Sequence, residues 1–147
     1  MDSEVILIAE DDLEDQFIMT DAFQETGIDQ YIHFVENGEM VIEYLDKKKE
    51  NKSPCLIVLD LNMPVMNGTE TLRRLKVSGR FSDIPVIVYS TSLNLIEMQE
   101  CMQLGARSYI IKPNSFTECK EVAKRLYDFC NKRYTFPTIA EMMQQVR

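Results

Sequence analysis

Acidic residues, a hydroxyl group and a lysine stand at the ends of four short apolar runs in this chain of 147 residues. Glu10 and Asp11 follow the first run, Asp60 the third, Ser90 the fourth and Lys112 the fifth. Two carboxylates 4 Å apart repel each other by on the order of 4 kcal/mol at an effective dielectric constant near 20. If these acids meet in one pocket, that pocket needs a cation or a carboxyl group with a raised pKa.

Magnesium is the cation that suits such a pocket. Mg2+ prefers oxygen ligands, and it commonly uses one or two carboxylates together with phosphate oxygens. Lys112 adds a single positive charge, and Ser90 adds a hydroxyl donor. A protein carboxylate can itself accept a phosphoryl group covalently. The combination therefore favours a phosphoryl group held on one of these carboxylates.

The apolar runs indicate how these residues could be brought together. They are short and rich in β-branched residues, as expected for strands buried on both faces, and stretches with helical periodicity separate them. Five strands alternating with five helices predict an α/β fold, a doubly wound five-stranded parallel sheet in the flavodoxin-like order 2-1-3-4-5. Such sheets place their sites at the carboxyl ends of the strands. The predicted strands are Val5–Ala9, Tyr31–Val35, Leu56–Leu59, Val86–Tyr89 and Tyr109–Ile111.

Composition narrows the classes of function. The net charge of −8 argues against a direct nucleic-acid binder, which needs clustered lysine and arginine. His33 is the single histidine, so neither a zinc site nor a histidine-based catalytic triad is expected. No apolar run approaches 18 residues, and no targeting signal is evident, so we expect a cytoplasmic protein without a membrane segment. The four cysteines show no CxxC spacing and are predicted to be reduced.

The C-terminal residues carry a separate pattern. We predict one domain over residues 4–132 and a tail over residues 133–147 that can hold one short helix. Thr138 and Glu141 have the spacing of a capping box. A helix this short is marginal alone in water, so its apolar face must dock either on its own domain or on a partner. That face would consist of Ile139, Met142, Met143 and Val146.

Taken in order, these motifs resemble one known family. The chain is similar to the receiver domain of two-component response regulators, in the single-domain form typified by the chemotaxis and phytochrome-associated regulators. The resemblance covers residues 4–132. It rests on a set of motifs that each lie at their own strand end: Glu10-Asp11, Asp60 with Met63-Pro64 and Gly68, Ser90, Tyr109 and Lys112-Pro113.

The resemblance implies a phosphoacceptor and a metal site. Asp60 would accept the phosphoryl group. Asp11 and Asp60 would bind Mg2+ directly, Glu10 would act mainly through water, and the backbone carbonyl of Asn62 would be a further ligand. The domain would catalyse only its own phosphorylation and slow dephosphorylation, so it would not be an enzyme in the usual sense.

The resemblance also implies a switch and partners. Ser90 and Lys112 would hold the phosphoryl oxygens, and Tyr109 would move inward when Ser90 is drawn to the phosphate. The phosphodonor would be a sensor histidine kinase or a histidine phosphotransfer protein. Because no output domain is recognised after residue 132, we expect the readout to be a protein contact, with a target or with a second copy, through helix 4, strand 5 and helix 5.

Three other classes of protein share parts of this pattern. A flavodoxin-like electron carrier would need a Ser/Thr/Gly-rich phosphate loop after the first strand, where this chain has an acidic segment. A haloacid-dehalogenase-type phosphatase usually carries a second acid two residues after its aspartate, where this chain has Asn62. A binding module that works without phosphorylation stays open, although the intact acidic residues and Lys112 argue against it.

Overall fold

Five parallel strands form a single sheet in the computed structural model, which describes residues 5–47 and 53–145. The sheet has the order β2-β1-β3-β4-β5, which confirms the predicted doubly wound topology. The strands are β1 (Ile6–Ala9), β2 (Ile32–Val35), β3 (Leu56–Leu59), β4 (Val86–Ser90) and β5 (Ser108–Ile111). The helices are α1 (Leu13–Glu25), α2 (Gly38–Lys47), α3 (Gly68–Ser78), α4 (Leu95–Gln103), α5 (Phe116–Cys130) and α6 (Ile139–Gln144).

The sheet separates two apolar layers. The three central strands are buried along their whole length, as continuous apolar runs in a parallel sheet should be. Helices α1 and α5 pack on one face, and helices α2, α3 and α4 pack on the other. Ala9 pairs in register with Leu59, so the residues that follow β1 and β3 leave the sheet side by side. No helix of the described segments has both the length and the apolar character to cross a bilayer.

Helix α6 docks on its own domain. The predicted capping box is present: the Thr138 hydroxyl accepts a hydrogen bond from the Glu141 N–H, and the Glu141 carboxylate accepts one from the Thr138 N–H. Ile139 is 1% exposed and belongs to the core cluster that also contains residues of α4. Met142 and Met143 pack against that cluster, and Val146 lies outside the described residues. Of the two alternatives for the tail, the structure therefore shows docking on its own domain.

The prediction that all four cysteines are reduced is wrong for two of them. A disulfide joins Cys55, just before β3, to Cys130, the last residue of α5. The partners are 75 residues apart, so no local spacing could have revealed the pair. Their Cα atoms lie 5.7 Å apart, well within the range that a disulfide spans. Cys101 and Cys119 are free thiols.

Candidate functional site

The carboxyl ends of β1 and β3 bring three acidic side chains together. The pairing of β1 with β3 continues one residue past β3, since the Asp60 N–H donates to the Ala9 carbonyl at 3.1 Å. One carboxylate oxygen each from Glu10, Asp11 and Asp60 lies within 4.8 Å of the others. Glu10 and Asp60 are buried, whereas Asp11 is exposed. The predicted acidic pocket therefore exists, with one side open to solvent.

Lys112 enters this pocket from the end of β5. Its Nζ atom lies 2.6 Å from Glu10 Oε1, 2.9 Å from Asp15 Oδ2 and 3.1 Å from Asp60 Oδ2. The Lys112 N–H donates to the Ser90 carbonyl at 2.6 Å, which extends the pairing of β4 with β5 and fixes the base of the side chain. One ammonium group thus contacts three carboxylates: Glu10 after β1, Asp60 after β3 and Asp15 on α1.

The electrostatics of the pocket are dominated by burial. Desolvation raises the pKa of Glu10 to about 7, helped by the nearby charge of Asp60 and opposed by the hydrogen bond from Lys112. The pKa of Lys112 is also raised: burial acts to lower it, but the bonds to Glu10 and Asp15 and the charge of Asp60 prevail. The pocket therefore holds a firmly charged lysine beside a glutamate that can exchange its proton near neutral pH.

The loop between β3 and α3 positions the backbone around Asp60. The Asn62 N–H donates to Asp60 Oδ1 at 3.1 Å, which orients the carboxylate and leaves its second oxygen toward Lys112. The loop then returns closely to the strand end, because the Gly68 N–H donates to the Leu61 carbonyl. A Cβ atom at Gly68 would lie 2.5 Å from the carbonyl oxygen of Asp60, so only glycine permits this approach. Val65, at the tip, has φ of 66°.

Ser90 and Tyr109 lie next to each other behind the pocket. Ser90 is 2% exposed, and its Oγ accepts a long hydrogen bond, of 3.5 Å, from the Ser92 N–H. The Tyr109 hydroxyl donates to the Ser92 carbonyl at 3.0 Å. Burial raises the pKa of Tyr109, and a hydrogen bond with Ser90 acts in the opposite direction. The Tyr109 ring is buried, with 2% of its surface exposed.

Two residues of α1 belong to the site and were not predicted. Asp15 supplies the third carboxylate to Lys112, and the Gln16 amide donates to the Glu10 carbonyl at 2.6 Å. Asp12 caps the helix by accepting from the N–H groups of Glu14 and Asp15. The sequence held one signal for Asp15. An N-cap at Asp12 predicts the start of a helix, which places Asp15 in the first helical turn, one turn beyond Asp11. His33 plays no part: it is exposed on β2 and stacks on Tyr44.

The donor set fits a hard divalent cation. The ligand oxygens of an octahedral Mg2+ ion lie at most about 4.2 Å apart. The three carboxylate oxygens lie within 4.8 Å of one another, so small side-chain rotations are enough to bring them to that spacing. All three donors are carboxylate oxygens, without sulfur or imidazole, which is the ligand chemistry that Mg2+ and Mn2+ favour. Burial is the main cause of the raised pKa of Glu10, and the charge of Asp60 adds to it, so a cation bound beside these two carboxylates would favour the ionised form of Glu10.

Comparisons with known proteins agree with this geometry. Residues 6–124 match the family model described as the response regulator receiver domain. The probable methanogenesis regulatory protein FilR2 of Methanothrix harundinacea is 28% identical over 127 residues, which cover 85% of this chain and 82% of that protein. Response regulator Rcp1 of Synechocystis is 26% identical over 136 residues, covering 90% of this chain and 92% of Rcp1.

Two solved structures share the fold over nearly their whole length. The phosphorylated cyanobacterial phytochrome response regulator RcpA superposes with a TM-score of 0.77 at 28% identity, covering 92% of this chain and 99% of RcpA. The Mn2+-bound form of Rcp1 superposes with a TM-score of 0.75 at 26% identity, with the same coverage. The acidic strand ends, the bridging lysine and the family match together show that this chain belongs to the response regulator receiver domains of two-component signalling.

Proposed function

We propose that this receiver domain accepts a phosphoryl group on Asp60, with Mg2+ in the adjacent acidic pocket. The observation that carries the proposal is the position of Lys112, whose ammonium group contacts Asp60, Glu10 and Asp15 at once. A buried aspartate beside a fixed cation and a hydroxyl group is the arrangement that a phosphoaspartate requires. Two of the neighbours described above are a phosphorylated protein and a Mn2+-bound protein, which supports both halves of the proposal.

The transfer itself needs few protein groups. An Asp60 carboxylate oxygen forms the new bond to phosphorus while the bond to the donor, a phosphohistidine nitrogen, breaks and the imidazole keeps the electron pair. The Asn62 N–H holds Oδ1 of the nucleophile, so Oδ2, on the Lys112 side, is the attacking oxygen. Lys112 and Ser90 then hold phosphoryl oxygens. The metal, when bound by Asp11, Asp60, water-linked Glu10 and the Asn62 carbonyl, supplies charge neutralisation for the transferring group.

Phosphorylation would change the protein surface through movement of the loop after β4. A phosphoryl dianion draws the Ser90 hydroxyl and the Lys112 ammonium toward itself. Ser90 leads into the loop whose Ser92 carbonyl accepts from Tyr109, so movement of this loop changes the anchoring of the Tyr109 ring. The affected surface is α4, β5 and α5. It exposes apolar side chains that suit a protein contact: Leu95 at 45%, Ile96 at 81% and Ile111 at 44%.

The proposed partners follow from this chemistry. The donor is a sensor histidine kinase or a histidine phosphotransfer protein, and the readout is a target protein or a second copy bound at α4, β5 and α5. The domain acts in the cytoplasm, apart from membranes, and does not bind nucleic acid directly, in keeping with its net charge of −8. It has no catalytic role beyond its own phosphorylation and slow dephosphorylation.

A labelling experiment tests the proposal. With a small acyl phosphate and Mg2+, the protein should gain one acid-labile phosphoryl group, and chelation of the metal should reduce the rate sharply. The Asp60→Asn variant should not be labelled. Asp83→Asn, an exposed aspartate just before β4, is the matched control and should be labelled like the unmodified protein. Full labelling of Asp60→Asn, or labelling indifferent to metal, would contradict the proposal.

A further inference from the structure

The two disulfide cysteines lie far from the acidic pocket, at the opposite end of the sheet. Cys55 precedes β3 and Cys130 ends α5, so the bond ties the last turn of α5 to the entrance of a central strand. Both residues are partly exposed rather than sealed in the core. Persistent disulfides belong to oxidising compartments, and those in the cytoplasm of mesophiles are usually transient or redox-sensing. A partly exposed pair in a domain proposed to be cytoplasmic therefore fits the second kind.

The surroundings of Cys55 accommodate both oxidation states. Cys55 Sγ lies 3.3 Å from the carbonyl oxygen of Val5, so the reduced thiol has a ready acceptor for its hydrogen. The backbone there does not depend on the disulfide, because the Cys55 N–H also donates to the Val5 carbonyl, at 2.9 Å. Loss of the sulfur–sulfur bond thus leaves no buried polar group without a partner at this position.

An open groove gives small molecules access to the sulfur atoms. It has a volume of about 420 Å³ and is lined by both cysteines together with Phe129, Lys132 and Tyr134, among others. Its lining combines the rings of Phe129 and Tyr134 with the positive charge of Lys132. These features suit a small anionic disulfide of the glutathione type, whose carboxylates Lys132 would attract.

The chain that follows Cys130 depends on the last turn of α5. This segment, residues 131–144, is called the C-terminal strap here. The Arg133 N–H donates to the Asp128 carbonyl at 2.8 Å, and the Phe136 ring packs against Phe129 with ring centroids 5.7 Å apart. The strap then crosses β5, where the Ser108 hydroxyl donates to the Pro137 carbonyl, and ends as α6 on α4.

We propose that Cys55 and Cys130 form a reversible redox site whose oxidant is a glutathione-type disulfide, and that oxidation holds the C-terminal strap in place on α4. One cysteine thiolate attacks the small disulfide, forms a mixed disulfide and releases one small thiol. The second cysteine thiolate then attacks the protein-bound sulfur and releases the second small thiol. Two electrons pass from the cysteines to the oxidant, and the protons of the two cysteines end on the two small thiols.

The consequence concerns the face that α4 presents. When the pair is reduced, the last turn of α5 loses its covalent link to the residue before β3. The first contacts of the strap are made with Asp128 and Phe129 on that turn, so they are then held less firmly. Helix α6 has six residues and is marginal without that support. Reduction should therefore loosen α6 and uncover the part of α4 on which it packs. This step is independent of Asp60 and would operate whether or not the domain is phosphorylated.

Two measurements on the full chain test the proposal. The protein is equilibrated over a range of ratios of oxidised to reduced glutathione, and free thiols are titrated in unfolding conditions, with masses recorded. We expect four thiols at the reducing end, two at the oxidising end, and a loss of two hydrogen atoms in mass. Amide hydrogen exchange in residues 139–144 is then compared between the two states. We expect several-fold faster exchange in the reduced protein and a melting temperature lower by on the order of 10 °C.

Variants separate the pair from the other cysteines. Cys55→Ser and Cys130→Ser should show the fast α6 exchange of the reduced protein at every glutathione ratio, because the remaining cysteine can form only a mixed disulfide with glutathione. Cys119→Ser, on the same helix as Cys130, should respond like the unmodified protein. If a serine variant is unstable, reduced unmodified protein supplies the same comparison. Four thiols at every ratio would overturn the redox site. A disulfide that forms without changing exchange in α6 would overturn its link to the strap.

Discussion

The buried carboxyl group of Glu10 should make the stability of the metal-free protein fall as pH rises through neutrality. Its pKa is about 7 in the folded protein against 4.5 for the free side chain. Because the folded-state value is the higher one, the folded protein binds the proton more tightly, and this stabilisation is present at low pH and lost as pH rises from 4.5 through 7. A difference of about 2.5 pKa units corresponds to about 3 kcal/mol, of which about 2.5 kcal/mol is lost between pH 5 and pH 8.

Urea unfolding with a chelator present, measured at each pH unit from 5 to 8, gives this quantity directly. Glu10→Gln should flatten the curve, since the amide cannot titrate, and Glu14→Gln, an exposed neighbour on α1, should leave it unchanged. If Mg2+ binds the ionised pocket, a concentration one hundred times its Kd should add about 2.7 kcal/mol at pH 8 and much less at pH 5. A flat curve for the unmodified protein, or an unchanged slope in Glu10→Gln, would refute the argument.

Two backbone positions and one helix cap allow further predictions, whose effects on stability are measurable by urea or thermal unfolding. Val65→Asn should raise the free energy of unfolding by about 1 kcal/mol, because valine is strained at positive φ and asparagine tolerates it; no gain would mean that the loop is not strained. Gly68→Ala should cost well over 1 kcal/mol and slow labelling of Asp60, whereas Gly27→Ala, with open space around it, should cost only about 1 kcal/mol; equal costs would contradict the close approach. Thr138→Ala should cost about 1 kcal/mol through the lost cap, and unchanged stability would mean that α6 contributes nothing to the fold.

The sheet and the central pocket were predictable because their signals are local. The three central strands are nearly continuous apolar runs, and the topology of parallel sheets brings the residues after the strands to one edge. Placing Glu10, Asp11, Asp60 and Lys112 together therefore required only the strand assignments. The capping box of α6 was equally local, since Thr138 and Glu141 are three residues apart.

Other features depend on contacts that local patterns do not encode. Asp15 and Lys112 are 97 residues apart in sequence, and an aspartate in a first helical turn ordinarily indicates no more than a favourable helix dipole. The disulfide joins positions 75 residues apart in a composition that indicated reduced thiols. Which face of α4 would receive α6 was likewise a matter of tertiary packing.

The path of the C-terminal strap also bears on how this domain avoids unwanted association. Strand β5 lies at one border of the sheet, where unpaired backbone groups can recruit a strand from another molecule. The strap crosses at the start of that strand: the Arg107 carbonyl accepts from the Ile139 N–H, and Pro137 cannot donate to a neighbouring strand. The strap thus protects the β5 edge from pairing with a strand of another molecule. A protein shortened after Arg133 should therefore tend to aggregate through its exposed β5 edge.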